Sequence, residues 1–165
     1  MTRFRWHLVN LLLLSASLLV CFLVAEAAVR IRYGNPHRFL SPQVRHIPTP
    51  YGYKPEPGQR TSYTLNKLVR TNSAGFRDSK EWTIPKPGGT FRIMIIGDSF
   101  TFGNGVNAEV RFSDLLEERL QRERINVEVL NASAGGWNLE NQYPFFRTEG
   151  LTYEPDALVV AFFPN

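Results

Sequence analysis

Three short polar segments of the sequence contain residue types that could act together on a carbonyl group. Ser99 follows Gly97 and Asp98 and offers a hydroxyl as nucleophile. Gly136, the second of two adjacent glycines, lets its backbone N–H approach a ligand closely. Asn165 has a side-chain amide that can donate to the same oxygen. In acyl transfer, a nucleophile attacks the carbonyl carbon, and several N–H donors stabilise the oxyanion that then develops.

Each segment also has a structural interpretation, and residue types alone leave both open. Asp98, Ser99 and Thr101 are residues that cap helices or form turns. Gly136 fits an ordinary strand-to-helix loop, and Asn165 is a common turn residue. The Gly-x-Ser-x-Gly elbow of the α/β-hydrolases is not matched, because Thr101 occupies the position of its second glycine.

The elements around these segments follow an alternating pattern of strands and helices. Apolar runs predict strands over 91–96, 127–130 and 157–163, and apolar spacing predicts helices over 109–124 and 139–149. Strands that alternate with helices imply an α/β fold with a parallel sheet covered on both faces. Each polar segment directly follows one strand, at the carboxyl edge where such sheets bind ligands.

The N-terminus has the composition of a membrane segment. An apolar run extends from Leu8 to Ala25, which at about 1.5 Å per residue spans roughly 27 Å, close to the bilayer core of about 30 Å. We predict a short flank at 1–6 and a transmembrane anchor or signal segment at 7–29. A cleaved signal peptide is the alternative, because Ala25-Glu26-Ala27 fits a small-residue cleavage site. Basic residues on both flanks leave the membrane orientation open.

Residues 30–89 are rich in proline and glycine, which excludes long helices. We predict an extended stalk here, or a strap that lies along a domain beginning at residue 90. The histidines of the sequence, His7, His37 and His46, all precede Ser99. We expect the two in the proline-rich segment to be solvated loop residues.

Composition limits the classes of function. Hydrophobic residues make up 43% of the chain and charged residues 21%, as in an ordinary globular protein. The net charge of +4 is uneven, with +9 on residues 1–90 and −5 on residues 91–165. Because the folded part is acidic, we expect no nucleic-acid partner. Cys21 is the one cysteine, so an intrachain disulfide and a cysteine-built metal site are excluded, and we expect no metal and no cofactor.

Taken together, the three polar segments resemble the sequence blocks of the SGNH/GDSL hydrolase family. Ser99 is similar to the nucleophile of the first block, Gly136 to the glycine of the second, and Asn165 to the asparagine of the third. The segment from Arg70 to Asp78 is similar to one that precedes the nucleophile in membrane-anchored members. The order and spacing of the blocks carry the resemblance, which begins at about residue 60.

The resemblance implies ester chemistry in a membrane-anchored enzyme. Residues 90–165 would form the N-terminal part of a flavodoxin-like three-layer α/β fold with a parallel sheet, outside the cytoplasm or in the periplasm. Ser99 would attack an acyl carbonyl, while the N–H groups of Ser99 and Gly136 and the side-chain amide of Asn165 would hold the oxyanion. The substrate would be an acylated carbohydrate or lipid.

The family's general base is a histidine in a C-terminal Asp-x-x-His block, which this sequence does not contain after Ser99. We therefore expect the sequence to be the N-terminal fragment of a longer protein, and the fragment to be inactive without a base. Two alternatives stay open. One is a non-catalytic anchored domain that binds glycans through a degenerate site, and the other is an O-acetyltransferase that uses the same serine.

Overall fold

The computed structural model describes residues 2–33, 44–63, 65 and 67–162, and the chain divides into two units, 1–41 and 42–165. The first unit contains helix α1 (Thr2–Tyr33), which extends beyond the predicted segment 7–29 at both ends. Its apolar stretch of 29 residues, Arg5–Tyr33, is about 44 Å long and exceeds a bilayer core of about 30 Å. The helix is therefore long and apolar enough to cross a membrane, a criterion that a signal sequence near the N-terminus also meets.

One ion pair lies within α1. The guanidinium of Arg30 donates to the Glu26 carboxylate at 2.7 Å, one helical turn away. Glu26 is the acidic residue that interrupts the apolar composition at the end of the predicted segment. The ion pair lowers the cost of carrying that carboxylate on an otherwise apolar helix.

The second unit begins with two antiparallel hairpins inside the proline-rich segment. Strands β1 (His46–Thr49) and β2 (Gly52–Pro55) form the first, and β3 (Arg60–Tyr63) and β4 (Lys67–Arg70) form the second. Within the described part of the chain, β1 and β2 pair with each other alone, and such edge strands are compatible with proline. The segment predicted as a stalk or strap thus contains regular secondary structure.

Three parallel strands follow in the spatial order β6-β5-β7. Their bounds are β5 (Phe91–Gly97), β6 (Val127–Ser133) and β7 (Ala157–Ala161), and the helices between them are α2 (Ser99–Phe102), α3 (Phe112–Arg122) and α4 (Leu139–Thr148). The predicted mixed α/β class with a parallel sheet is confirmed. Strand β6 is three residues longer than predicted and reaches Ser133. Strand β7 is shorter than the predicted 157–163, because it ends at Ala161 and Phe162 is not part of it; Phe163 lies outside the described residues.

Alternation along the strands gives the sheet two apolar faces. On one face, Leu116 and Leu120 of α3 pack against Ile95, Val127 and Val129. The other face presents Met94 and Ile96 to a larger cluster, whose remaining buried members are Tyr51, Phe76, Trp82, Leu130, Ala132, Ala134, Trp137, Phe145 and Tyr153. Three of those aromatic residues precede the sheet in sequence, so the proline-rich segment supplies part of the core.

Polar contacts hold the first hairpin against α4. The Tyr51 hydroxyl donates to one Glu149 oxygen at 2.6 Å, and the Lys54 ammonium donates to the other at 2.8 Å. Burial, reinforced by the neighbouring Glu149 carboxylate, raises the pKa of Tyr51 well above its ordinary value, so the phenol keeps its proton at neutral pH. These two contacts therefore fix the position of the hairpin relative to the end of α4.

Candidate active site

The strand register brings two of the three predicted segments to one edge of the sheet. Gly97, the last residue of β5, pairs with Ser133 of β6 and with Ala161 of β7. The Ser99 segment and the Gly136 segment therefore both start at the carboxyl edge. The third predicted residue, Asn165, lies outside the described residues.

Ser99 is the first residue of the short helix α2, directly after its N-cap. The cap is Asp98, whose carboxylate accepts from the Phe100 N–H at 2.9 Å. The N–H groups of a first helical turn have no carbonyl partner within the helix, so the Ser99 N–H is available by geometry as a donor. A side chain at Gly97 would lie 2.1 Å from the Thr101 hydroxyl oxygen, which explains glycine before the cap. The capping role thus belongs to Asp98, and Ser99 is half-buried beside it.

Gly136 belongs to a tight turn between β6 and α4. The Trp137 N–H donates to the Ala134 carbonyl at 3.2 Å, which closes a four-residue turn. Positive φ occurs at Gly136 (+83°) and not at Gly135, the combination that defines a type II turn and favours glycine at this position. The Ala134 N–H reaches back to the Gly97 carbonyl at 3.4 Å, so the turn is joined to the end of β5.

A tyrosine from the first hairpin covers this turn. The Tyr53 hydroxyl donates to the Gly135 carbonyl at 2.8 Å, and a side chain at Gly136 would come within 2.7 Å of the same hydroxyl. In return, the Trp137 indole N–H donates to the Tyr53 carbonyl at 2.8 Å. The second polar segment is therefore built jointly by the loop after β6 and by the proline-rich segment.

A buried polar network supports the helix that carries Ser99. The Asn131 amide donates to the Thr101 carbonyl and to the Ser113 hydroxyl, both at 2.8 Å, and its oxygen accepts from the Ser133 hydroxyl. Each of these four residues is at most 2% exposed. Because every polar group of the Asn131 amide has a partner, the network stabilises the end of α2 in one position.

Arg77 fastens the loop that follows α2. One guanidinium nitrogen donates to the carbonyls of Phe102 and Gly103 at 3.1 and 2.7 Å, and the other donates to Leu68 and Val106 at 2.9 and 2.8 Å. Burial and the nearby Arg111 lower the pKa of Arg77 to about 10, so the group remains charged at neutral pH. Arg77 lies in the segment 70–78 and joins that segment to the loop that follows α2.

Among the described residues, no hydrogen bond joins a histidine to Ser99. His46 lies in strand β1 rather than in a loop, but it is exposed as predicted, with its ring 5.2 Å from the Tyr53 ring in an edge-to-face contact. Burial lowers the pKa of His46, so it is neutral at pH 7. His7 lies in α1, and the predicted loop residue His37 lies outside the described residues.

A separate cleft of about 400 Å³ opens beside the second hairpin. It is lined by Leu68, Arg70, Arg77, Asp78, Ser79, Asn107, Ala108, Glu109 and Asp114. Neither Ser99 nor Gly136 contributes to it. Of its carboxylates, Asp78 accepts from the Lys80 N–H and the Trp82 indole, and Asp114 pairs with Arg111. Within 2–33, 44–63, 65 and 67–162, we find no cluster of three metal-ligating side chains.

Three residues of the site carried little signal in the sequence. Asn131 directly follows the predicted strand 127–130, and Arg77 lies in the segment 70–78, but neither position indicates a partner. Tyr53 has no local pattern that distinguishes it, because its partner Gly135 is 82 residues further along the chain.

Comparison of the chain with protein-family models, with curated proteins and with solved structures finds no match.

Proposed function

We propose that this chain belongs to a membrane-anchored serine ester hydrolase of the SGNH type. The observation that carries the proposal is the shared edge of the sheet, where helix α2, which begins at Ser99, and the turn bearing Gly136 follow strands that end in register. A hydroxyl and a glycine N–H from adjacent loops are the components that acyl transfer needs. The resemblance of the sequence blocks supports the same reaction.

The chemistry assigns one task to each group. The Ser99 oxygen attacks the acyl carbonyl while its proton passes to a general base, and the carbonyl oxygen becomes an oxyanion. The N–H groups of Ser99 and Gly136 and the Asn165 amide bind that oxyanion. The base then protonates the leaving alcohol, and water releases the acyl group from the serine by the same steps in reverse order.

The resemblance implies that the base is the histidine of an Asp-x-x-His block. The reading frame of the source DNA, followed through the Asn165 codon, tests this part of the proposal directly. An Asp codon next, with an Asp-x-x-His block later, supports the hydrolase. A stop codon would leave Ser99 without the family's base and favour a non-catalytic domain that binds glycans.

The strand order supports a flavodoxin-like sheet. In chain order the three strands lie as 2-1-3, which is how a flavodoxin-like sheet begins, and ligands of such sheets bind where the strand order reverses. The reversal lies between β5 and β7, the strands followed by Ser99 and Asn165. We propose that α1 anchors the enzyme and that the domain acts outside the cytoplasm on acylated carbohydrate or lipid.

The primary experiment is hydrolysis of p-nitrophenyl acetate by the detergent-solubilised protein, expressed from its complete reading frame. Ser99→Ala should lower the rate by at least about 10³-fold, because no other group can form the acyl-enzyme. Ser79→Ala is the matched control, since Ser79 is an exposed serine away from the strand ends, and it should keep full activity. Full activity in Ser99→Ala would refute the nucleophile assignment.

Two further measurements separate the variants of the proposal. Asn165→Ala should lower kcat with little change in KM, and an effect on KM alone would exclude Asn165 as an oxyanion donor. Transfer of the acetyl group to a sugar hydroxyl that outpaces hydrolysis would show an O-acetyltransferase instead.

A further inference from the structure

The hydrogen bond between Tyr53 and Gly135 is made to the central peptide group of the turn. In the turn Ala134–Trp137, the central peptide consists of the Gly135 carbonyl and the Gly136 N–H. Type I and type II turns differ chiefly by a flip of this central peptide, which changes φ of the third residue from about −90° to about +80°. With φ of +83° at Gly136, the turn is in the type II state.

The planarity of the peptide group links the two atoms. In a trans peptide the carbonyl and the N–H point in opposite directions. A hydroxyl that holds the Gly135 oxygen at 2.8 Å therefore also determines where the Gly136 N–H points. Donation to the carbonyl further polarises the peptide and makes its N–H a better donor.

We propose that Tyr53 is a positioning residue that orients the Gly136 N–H for the oxyanion. The inference rests on the proposed hydrolase function, and it adds Tyr53 to the residues of the active site. Two adjacent glycines can adopt either turn state without a side-chain penalty, so the turn needs an external contact to select one. Tyr53 supplies that contact from outside the β6–α4 loop.

Tyr53 is itself held firmly enough for this task. Its backbone carbonyl accepts from the Trp137 indole, and its ring packs edge-to-face against His46. The neighbouring Tyr51 and Lys54 bind Glu149 from the same hairpin. Because these contacts do not involve the Tyr53 hydroxyl, removal of the hydroxyl should leave the hairpin in place.

The kinetic test compares two Tyr→Phe variants of one hairpin. Tyr53→Phe removes the bond to the turn and keeps the ring, and Tyr51→Phe removes an equivalent bond to Glu149. With p-nitrophenyl acetate and the protein from its complete reading frame, we expect kcat of Tyr53→Phe to fall about tenfold with KM unchanged. This is less than the roughly 10²–10³ lost when an oxyanion donor is removed outright. Tyr51→Phe should keep kcat even if it melts at a lower temperature.

A second readout does not depend on activity. In the detergent-solubilised chain labelled with ¹⁵N-glycine, Tyr53→Phe should shift or broaden the Gly136 amide signal as the turn samples both states. Tyr51→Phe should leave that signal unchanged. An unaltered Gly136 signal in Tyr53→Phe would overturn the inference about Tyr53. An unaltered kcat in Tyr53→Phe, when Ser99→Ala abolishes hydrolysis, would also overturn it, but the proposed hydrolase function would still stand. Failure of the proposed hydrolase function would instead be seen as full activity in Ser99→Ala.

Discussion

The side-chain amide of Asn131 donates to the Thr101 carbonyl at 2.8 Å and so joins strand β6 to the helix that begins at Ser99. Four residues form α2, which is too short to be stable by its own hydrogen bonds. Its position therefore depends on what holds its ends. Asp98 caps the start, and the buried Asn131 binds the end.

Asn131→Ala should destabilise the domain because it leaves the Thr101 carbonyl and two hydroxyls buried without that partner. We expect the free energy of unfolding to fall by about 2–4 kcal/mol. Urea denaturation of the solubilised protein measures it. Asn126→Ala is the control, since its exposed amide also donates twice, to Gly89 and Thr90, and should cost less than about 1 kcal/mol. Equal costs for the two variants would contradict the role of the buried network.

Arg77→Lys should not be a conservative change. Two guanidinium nitrogens bind four carbonyls, and a lysine ammonium with three donors on a single atom does not reproduce that fork. We expect a loss of about 2–4 kcal/mol in unfolding free energy, measured by urea denaturation. Arg45→Lys, at an exposed arginine paired with Glu56, should stay within about 0.5 kcal/mol of the parent. If Arg77→Lys behaves like Arg45→Lys, the four carbonyl contacts do not matter for stability.

The sheet was predictable from the sequence, and the hairpins were not. Strands β5, β6 and β7 and helices α3 and α4 are each long or apolar enough for periodicity to be read locally. Strands β1 to β4 have only four residues each, and β1 and β2 also contain a proline, so no periodic pattern can be recognised. What holds them is distant in sequence, as in the bond from Tyr51 to Glu149, 98 residues away.

The residues of the candidate site likewise include some that the sequence predicts and some that it does not. Ser99 and Gly136 could be singled out because turn chemistry depends on neighbouring residues, and the strand register then brings their segments together. The roles of Tyr53, Asn131 and Arg77 depend on which carbonyl each side chain reaches after folding. No local rule predicts such a partner, even where the residue type itself is conspicuous.

Gly136→Ala should cost more than a positive φ alone explains. Gly89 is the control, because it has a similar φ of +74° with nothing within 4 Å of an added side chain, whereas at Gly136 the Tyr53 hydroxyl lies 2.7 Å away. Gly89→Ala should lose about 1–2 kcal/mol from the left-handed backbone, and Gly136→Ala about 1–3 kcal/mol more from the collision. Urea denaturation of both variants gives the difference. Adding Tyr53→Phe to the Gly136→Ala variant should restore part of the lost unfolding free energy. If none is restored, a collision with the Tyr53 hydroxyl is ruled out.

The contacts of Asp156 predict that its contribution to stability depends on pH. The Lys86 ammonium and the Arg92 backbone N–H donate to its carboxylate at 2.6 Å, and these bonds hold the pKa of Asp156 below its ordinary value of 3.8. A carboxyl with a lowered folded-state pKa stabilises the fold above its unfolded-state pKa. That contribution is lost as the pH falls through the folded-state pKa.

Asp156→Asn should therefore unfold at a lower urea concentration than the parent at pH 7, and the gap should narrow below about pH 4. Glu81, whose pKa is lowered by its bonds from Ser73, is present in both proteins, so its titration cancels in the comparison. Glu118→Gln is the control for an exposed ion pair, and its gap from the parent should stay small at both pH values because surface pairs contribute little. The difference in unfolding midpoint between Asp156→Asn and the parent could instead be equally large at pH 7 and pH 3. That result would mean that the amide introduced at position 156 does not fit sterically, and that the carboxylate charge is not what stabilises this part of the sheet.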